Sequence, residues 1–187
     1  MEPIKDKDSV LFYDTDGGGL KEAMMDYGLA YTMKMCDLRY HKGNENVALK
    51  QACRSILAKL LEFGELCEDI SVQTYFQYKK SIDLIVEVYF KDGNYAAIMI
   101  EDKVDHILGR HQVTDYKKLF DECYDADNKC VLRKYWVIKA GDYGTEVWED
   151  LCQQNEFKIV TLDKLSSGLG PDTGNDIFDE FWLRDWE

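Results

Sequence analysis

Two nearly unbroken apolar stretches, separated by a short polar turn, constrain this chain more than any other feature. The first is SIDLIVEVYF (81–90) and the second is YAAIMIE (95–101), with Lys91, Asp92, Gly93 and Asn94 between them. A strand covered on one face alternates polar and apolar residues, whereas a strand covered on both faces reads as a continuous hydrophobic run. The Asp-Gly-Asn turn joins the two as a hairpin. The expectation is a central antiparallel pair buried on both sides. With 187 residues, 45% of them hydrophobic, the chain has enough apolar material to cover that pair within one core.

The flanking segments supply the cover. Leu49, Ala52, Cys53, Ile56, Leu57, Leu60 and Leu61 recur at three- and four-residue steps, which predicts a helix capped by Asn44 and ending near Gly64. Another helix is expected in KEAMMDYGLAYTMKMC. ISVQTYFQY reads as a strand before the hairpin, RHQVTDYKKLFDECY as a helix after it, RKYWVIKA and KIVTL as strands, and DIFDEFWLRDW as a closing amphipathic helix. In that last helix Phe178, Phe181, Trp182 and Trp186 form an aromatic stripe suited to core docking. The fold class is mixed α/β: a central mixed sheet flanked by helices. Residues 1–187 read as a single domain, with an N-terminal helical segment (1–43), a core (44–140) and an acidic C-terminal segment (141–187).

Charge and cysteine usage narrow the function. The net charge is −13, unlike a chain that holds a polyanion by its own field. The charge is uneven: residues 141–187 carry 12 acidic and 3 basic side chains, whereas residues 77–118 carry seven of each sign. Six cysteines, with no CxxC pair, signal neither zinc nor a redox motif. No stretch has the length of a membrane span and the first residues lack a signal-peptide core, so a cytoplasmic protein without membrane contact is expected. A calcium loop at DTDGGGLKEAM is excluded, because Met25 stands where the bidentate glutamate is needed.

The second apolar run ends in Glu101, Asp102 and Lys103. Side chains two apart on a strand share a face, so Glu101 and Lys103 project together and Asp102 points the other way. A three-residue loop of Asp92, Gly93 and Asn94 pairs Asp83 with Lys103 and brings Asp83 onto the same face; a two- or four-residue loop would direct it away. Two carboxylates beside a lysine form a set that binds Mg²⁺ and offsets phosphate charge. For an isolated Glu-x-Lys, a salt bridge at a strand end is the simpler reading.

Asp83 in IDLIVEV followed by Glu101 and Lys103 in IEDK resembles the PD-(D/E)XK nuclease superfamily, although Ile82 replaces the proline before the aspartate. The segment QVTDY adds Gln112 and Tyr116, which resemble the Q-x-x-x-Y helix of the RecB- and exonuclease-like branch. The resemblance implies a restriction-endonuclease-like fold and Mg²⁺-dependent hydrolysis of nucleic-acid phosphodiesters, with DNA favoured over RNA and Mn²⁺ as an alternative metal. It implies that Asp83 and Glu101 bind metal, that Lys103 positions water or stabilises charge, and that Gln112 and Tyr116 support the site. It also implies a helix glutamate at the metal. Extending the apolar stripe back by four points to Glu45, with Glu62 and Glu65 as other candidates, although a solvated first-turn glutamate favoured by the helix dipole is the simpler reading of Glu45.

His106 and His111 flank the loop after the motif and His41 precedes the helix, without metal-ligand spacing. Lys79, Lys80, Lys117 and Lys118 suit either phosphate contacts or a solvated edge. Two other functions fit the residues: a catalytically silent module of the same fold that binds a protein partner or a second copy, and a hydrolase of smaller phosphate esters.

Overall fold

A computed structural model describes residues 18–40, 46–66, 69–78, 81–104, 108–141, 146–170 and 172–183. Its centre is a five-stranded mixed sheet in sequential order: β1 (Ser71–Tyr78), β2 (Ile82–Tyr89), β3 (Tyr95–Lys103), β4 (Cys130–Lys139) and β5 (Lys158–Thr161). β1, β2 and β3 pair antiparallel, and β3, β4 and β5 pair parallel. The change of sense falls at β3. Parallel neighbours require a crossover of a dozen or more residues, and α3 (Arg110–Tyr124) and α4 (Glu146–Gln154) supply the two that are needed.

β3 is buried along its whole length, as its apolar run requires. Ala96, Ile98 and Ile100 face a core built with α1 (Gly18–Lys34), α2 (Val47–Leu61), α5 (Leu162–Ser166) and α6 (Asp176–Leu183). Ala97 and Met99 face a second core under α3 and α4, where Val113, Phe120, Trp148 and Cys152 close over the sheet. Two-sided cover lets β3 end in charges without exposing its flanks.

α2 starts two residues later than the sequence suggests. Asn46 is its cap: Asn46 Oδ1 accepts from Leu49 N–H at 2.9 Å while Asn46 Nδ2 donates to Thr173 O at 2.6 Å, so the cap also ties down the segment before α6. The helix stops at Leu61 because Glu62 takes the left-handed conformation (φ +61°), with Phe63 N–H donating to Ala58 O at 2.9 Å. Trp136 Nε1 on β4 donates to Leu60 O at 2.8 Å, anchoring this helix end to the sheet. α4 and α5 have no counterpart in the sequence reading. No described helix is long and apolar enough to cross a membrane.

Candidate active site

The hairpin register decides which side chains meet. Tyr89 pairs with Tyr95 and Leu84 with Ile100, so the continuing ladder sets Asp83 opposite Glu101. The expected pairing of Asp83 with Lys103 is therefore corrected by two residues. The loop is Lys91, Asp92 and Gly93, one residue earlier than expected: Phe90 N–H donates to Asn94 O at 2.9 Å in continuation of the register, and Asn94 N–H donates to Asp92 Oδ1 at 2.9 Å. Gly93, at φ +83°, completes the reversal. A shift of two preserves side-chain parity, so Asp83 remains on the face of Glu101 and Lys103.

The three side chains converge at the end of β3. Lys103 Nζ lies 2.8 Å from Glu101 Oε1 and 3.6 Å from Asp83 Oδ2, and donates to Asp102 O at 2.7 Å. Asp102 N–H reaches Asp83 Oδ2 at 3.3 Å. Glu101 is fully buried, and the Asp83 side chain, 27% exposed, is the member of the set that meets solvent. Gln112, in the first turn of α3, fixes Glu101 from the side: its Nε2 donates to Glu101 Oε1 while its Oε1 accepts from Gly109 N–H at 2.7 Å. One side chain thus caps α3 and orients the buried glutamate. Tyr116, one turn on, is half-buried, and its hydroxyl is held in the neutral form first by burial and then by the charges of Glu101 and Asp83.

Burial is the dominant influence on both partners of the ion pair. It pushes the Glu101 carboxyl up to about 8; Asp83 raises it further and Lys103 opposes the rise. Burial alone would lower Lys103, yet Glu101 and Asp83 outweigh it and hold the ammonium above its ordinary range. The two shifts pull in opposite directions on one contact. Two carboxylates touch the ammonium, whereas Glu101 Oε2 is buried with no hydrogen-bond donor. The charged state of Lys103 is the firmer of the two.

That donorless oxygen bears on metal binding, because a buried carboxylate oxygen without a partner suits a cation or a proton. Among the described residues no group of three or more His, Cys, Asp or Glu side chains is set to hold a metal ion. Two carboxylates remain, one of them reachable from solvent. This fits Mg²⁺, which is commonly held by one or two carboxylates together with water and phosphate oxygens.

Glu45, His41, His106, Lys79 and Lys80 lie outside the described residues. Glu62 is not at the site: it closes α2 and pairs with Lys134 and Lys158. Glu65 is exposed beyond that helix. His111 is exposed, with its ring edge-on to Tyr116 at 5.6 Å. Lys117 is engaged by Asp121 at 2.8 Å and Glu156 at 3.1 Å, and Lys118 is exposed.

The acidic helix side chains beside the cluster come from α1, which the sequence reading did not consider. Asp26 feels Asp83 and Lys103, and Glu22, one turn earlier, is felt by Lys103. Asp102, 2% exposed, faces α1, where its carboxyl and that of Asp26 act on each other. Burial raises both carboxyls, Asp26 to about 6. Asp102 Oδ2 and Asp26 Oδ1 are buried without a donor, a need that one proton shared between the two carboxyls would meet. The signal available in the sequence was Glu22 and Asp26 at helical spacing beside the apolar stripe of Met25, Leu29 and Met33.

Comparison with protein-family models, curated proteins and solved structures returns no match for this chain.

Proposed function

We propose that this chain is a metal-dependent nuclease of the PD-(D/E)XK type that hydrolyses phosphodiester bonds, with DNA favoured over RNA. The observation that carries the proposal is the convergence of Asp83, Glu101 and Lys103 on one face at the end of β3, with Gln112 holding Glu101. Asp83 and Glu101 would hold Mg²⁺ or Mn²⁺. When bound, the ion supplies Lewis acidity and lowers the pKa of a bound water. Lys103 offsets charge developing on the phosphate, Gln112 keeps Glu101 in a single orientation, and Tyr116 presents a neutral hydroxyl beside the site. The described cysteines are free thiols, which accords with a cytoplasmic setting.

A second reading rests on burial. Glu101 and Lys103 are almost completely covered and paired with each other, as in a structural ion pair, and the acidic surface would then serve a protein partner or a second copy. The test is cleavage of labelled single- and double-stranded DNA and RNA with Mg²⁺, Mn²⁺ or EDTA, beside Asp83→Asn and Lys103→Ala. Metal-dependent cleavage lost in both variants, with the fold retained by circular dichroism, supports the nuclease. Absence of cleavage under every metal condition supports the interaction module.

A further inference from the structure

α3 covers β3 and β4 but leaves part of β1 and β2 open on the same side of the sheet as Asp83. There a cavity of about 620 Å³ is lined by Tyr75, Glu87, Tyr89, Tyr95, Tyr124 and Asp127. The floor is Glu87, 8% exposed, which shares the face of Asp83 by strand parity. Tyr89 donates to Glu87 Oε2 at 2.6 Å and Tyr124 to Glu87 Oε1 at 2.8 Å. The Tyr75 hydroxyl lies 2.7 Å from Gln73 Oε1 and 3.1 Å from Glu87 Oε2, so one proton serves two acceptors. Tyr95 donates to Asp127 Oδ2 at 2.9 Å, and its ring centroid lies 5.0 Å from that of Tyr89.

Each hydroxyl is tied to a carboxylate or an amide, which fixes the rings; Tyr95 and Tyr124 are buried behind the half-buried Tyr89 and the exposed Tyr75. Tyr75 keeps 37% of its surface open. Burial raises Tyr89, Tyr95 and Tyr124, and the adjoining carboxylates raise them further, so these hydroxyls stay neutral. Fixed aromatic faces above hydrogen-bond acceptors are complementary to a nucleobase, which offers a π-face for stacking and N–H donors along its edge.

Resting on the nuclease reading, we propose that this cavity takes an unstacked base of a single-stranded nucleic acid whose scissile phosphate lies at Asp83, Glu101 and Lys103. Glu87 and Asp83 are four residues apart on β2, about 13 Å at the rise of a strand, which a few nucleotides bridge. An organic cation would meet the same rings and carboxylates, but it would gain nothing from the cavity's position along β2 from the cluster. Duplex is disfavoured for two reasons. Its bases are held within the stack, out of reach of the rings. Its denser phosphates also meet a chain of net charge −13.

The test is fluorescence anisotropy of a labelled single-stranded oligonucleotide and its blunt duplex, in Ca²⁺ to suppress cleavage, with the full chain and with Tyr75→Ala and Tyr75→Phe. Alanine replacement of a stacking aromatic weakens binding by roughly 5- to 150-fold. The expected result is tighter binding of the single strand than of the duplex, loss of that margin in Tyr75→Ala, and its recovery in Tyr75→Phe. Thermal melts check that both variants fold, which the exposure of Tyr75 favours. Equal binding of both forms, or Tyr75→Ala matching the parent while cleavage still requires Lys103, overturns the base site and leaves the nuclease reading standing. Absence of binding and cleavage with every nucleic acid overturns both.

Discussion

Replacing Lys103 by Met removes the ammonium but keeps the unbranched stem as far as Cε, and it should destabilise the protein in a pH-dependent way. Lys103 is 5% exposed and Glu101 fully buried. Taking one partner from a buried ion pair costs about 3–5 kcal/mol, because the remaining charge is left uncompensated. A carboxylate can escape that cost by binding a proton. Glu101 already sits at about 8 against an ordinary 4.5, so the folded state holds a proton that the unfolded state releases between those values. This contribution to stability is fully present below pH 4.5 and is lost as the pH rises towards 8. Without Lys103 the folded value climbs further, and the decline continues to higher pH at up to about 1.4 kcal/mol per pH unit. Near pH 5 the neutral acid needs no counter-ion, and Lys103→Met should cost only about 1 kcal/mol, the worth of a lost hydrogen bond. Urea denaturation of parent and variant at pH 5 and pH 8.5 reads the difference. The double variant Glu101→Gln, Lys103→Met should recover most of the loss at pH 8.5. An equal loss at the two pH values, or none, would refute the claim that Lys103 is the counter-ion of Glu101.

Other expectations follow from the packing. A Cβ on Gly28 would lie 2.2 Å from the Phe181 ring, so Gly28→Ala should cost about 1–3 kcal/mol by overpacking the contact between α1 and α6, measured by thermal melting. Asn46→Ala, which removes the α2 cap, should cost about 1 kcal/mol in urea denaturation. Burial pushes the Cys36 and Cys53 thiols well above their ordinary value, so iodoacetamide at pH 8 should label neither in the folded protein and both in urea, read by mass spectrometry.

The sheet was legible because its strands carry unambiguous period and length. Two nearly unbroken apolar runs mark β2 and β3 as doubly covered; β3 is buried along its whole length, and β2 everywhere but at Asp83 and Tyr89. The limits of α3 follow directly from RHQVTDYKKLFDECY. The register was not legible. The loop closes on Lys91, Asp92 and Gly93, between Phe90 and Asn94, and the polar run Lys91 to Asn94 does not say which three of its residues form it. Asp83 reached the expected face because the error was an even number of residues. α4 was missed because only Trp148 and Cys152 of its nine residues are buried, and α5 because five residues are too few to show a period. Asp26 was missed because a half-buried acid in an apolar helix announces nothing until a second acid, Asp102, is placed against it from a different element.

The most direct test of the proposed site is a crystal structure of the protein soaked with Mn²⁺, with anomalous scattering used to place the ion. The nuclease reading requires an anomalous peak within coordination distance of carboxylate oxygens of both Asp83 and Glu101, absent from crystals of Asp83→Asn. A structure with no peak there, in which Lys103 still bridges the two carboxylates, would contradict it.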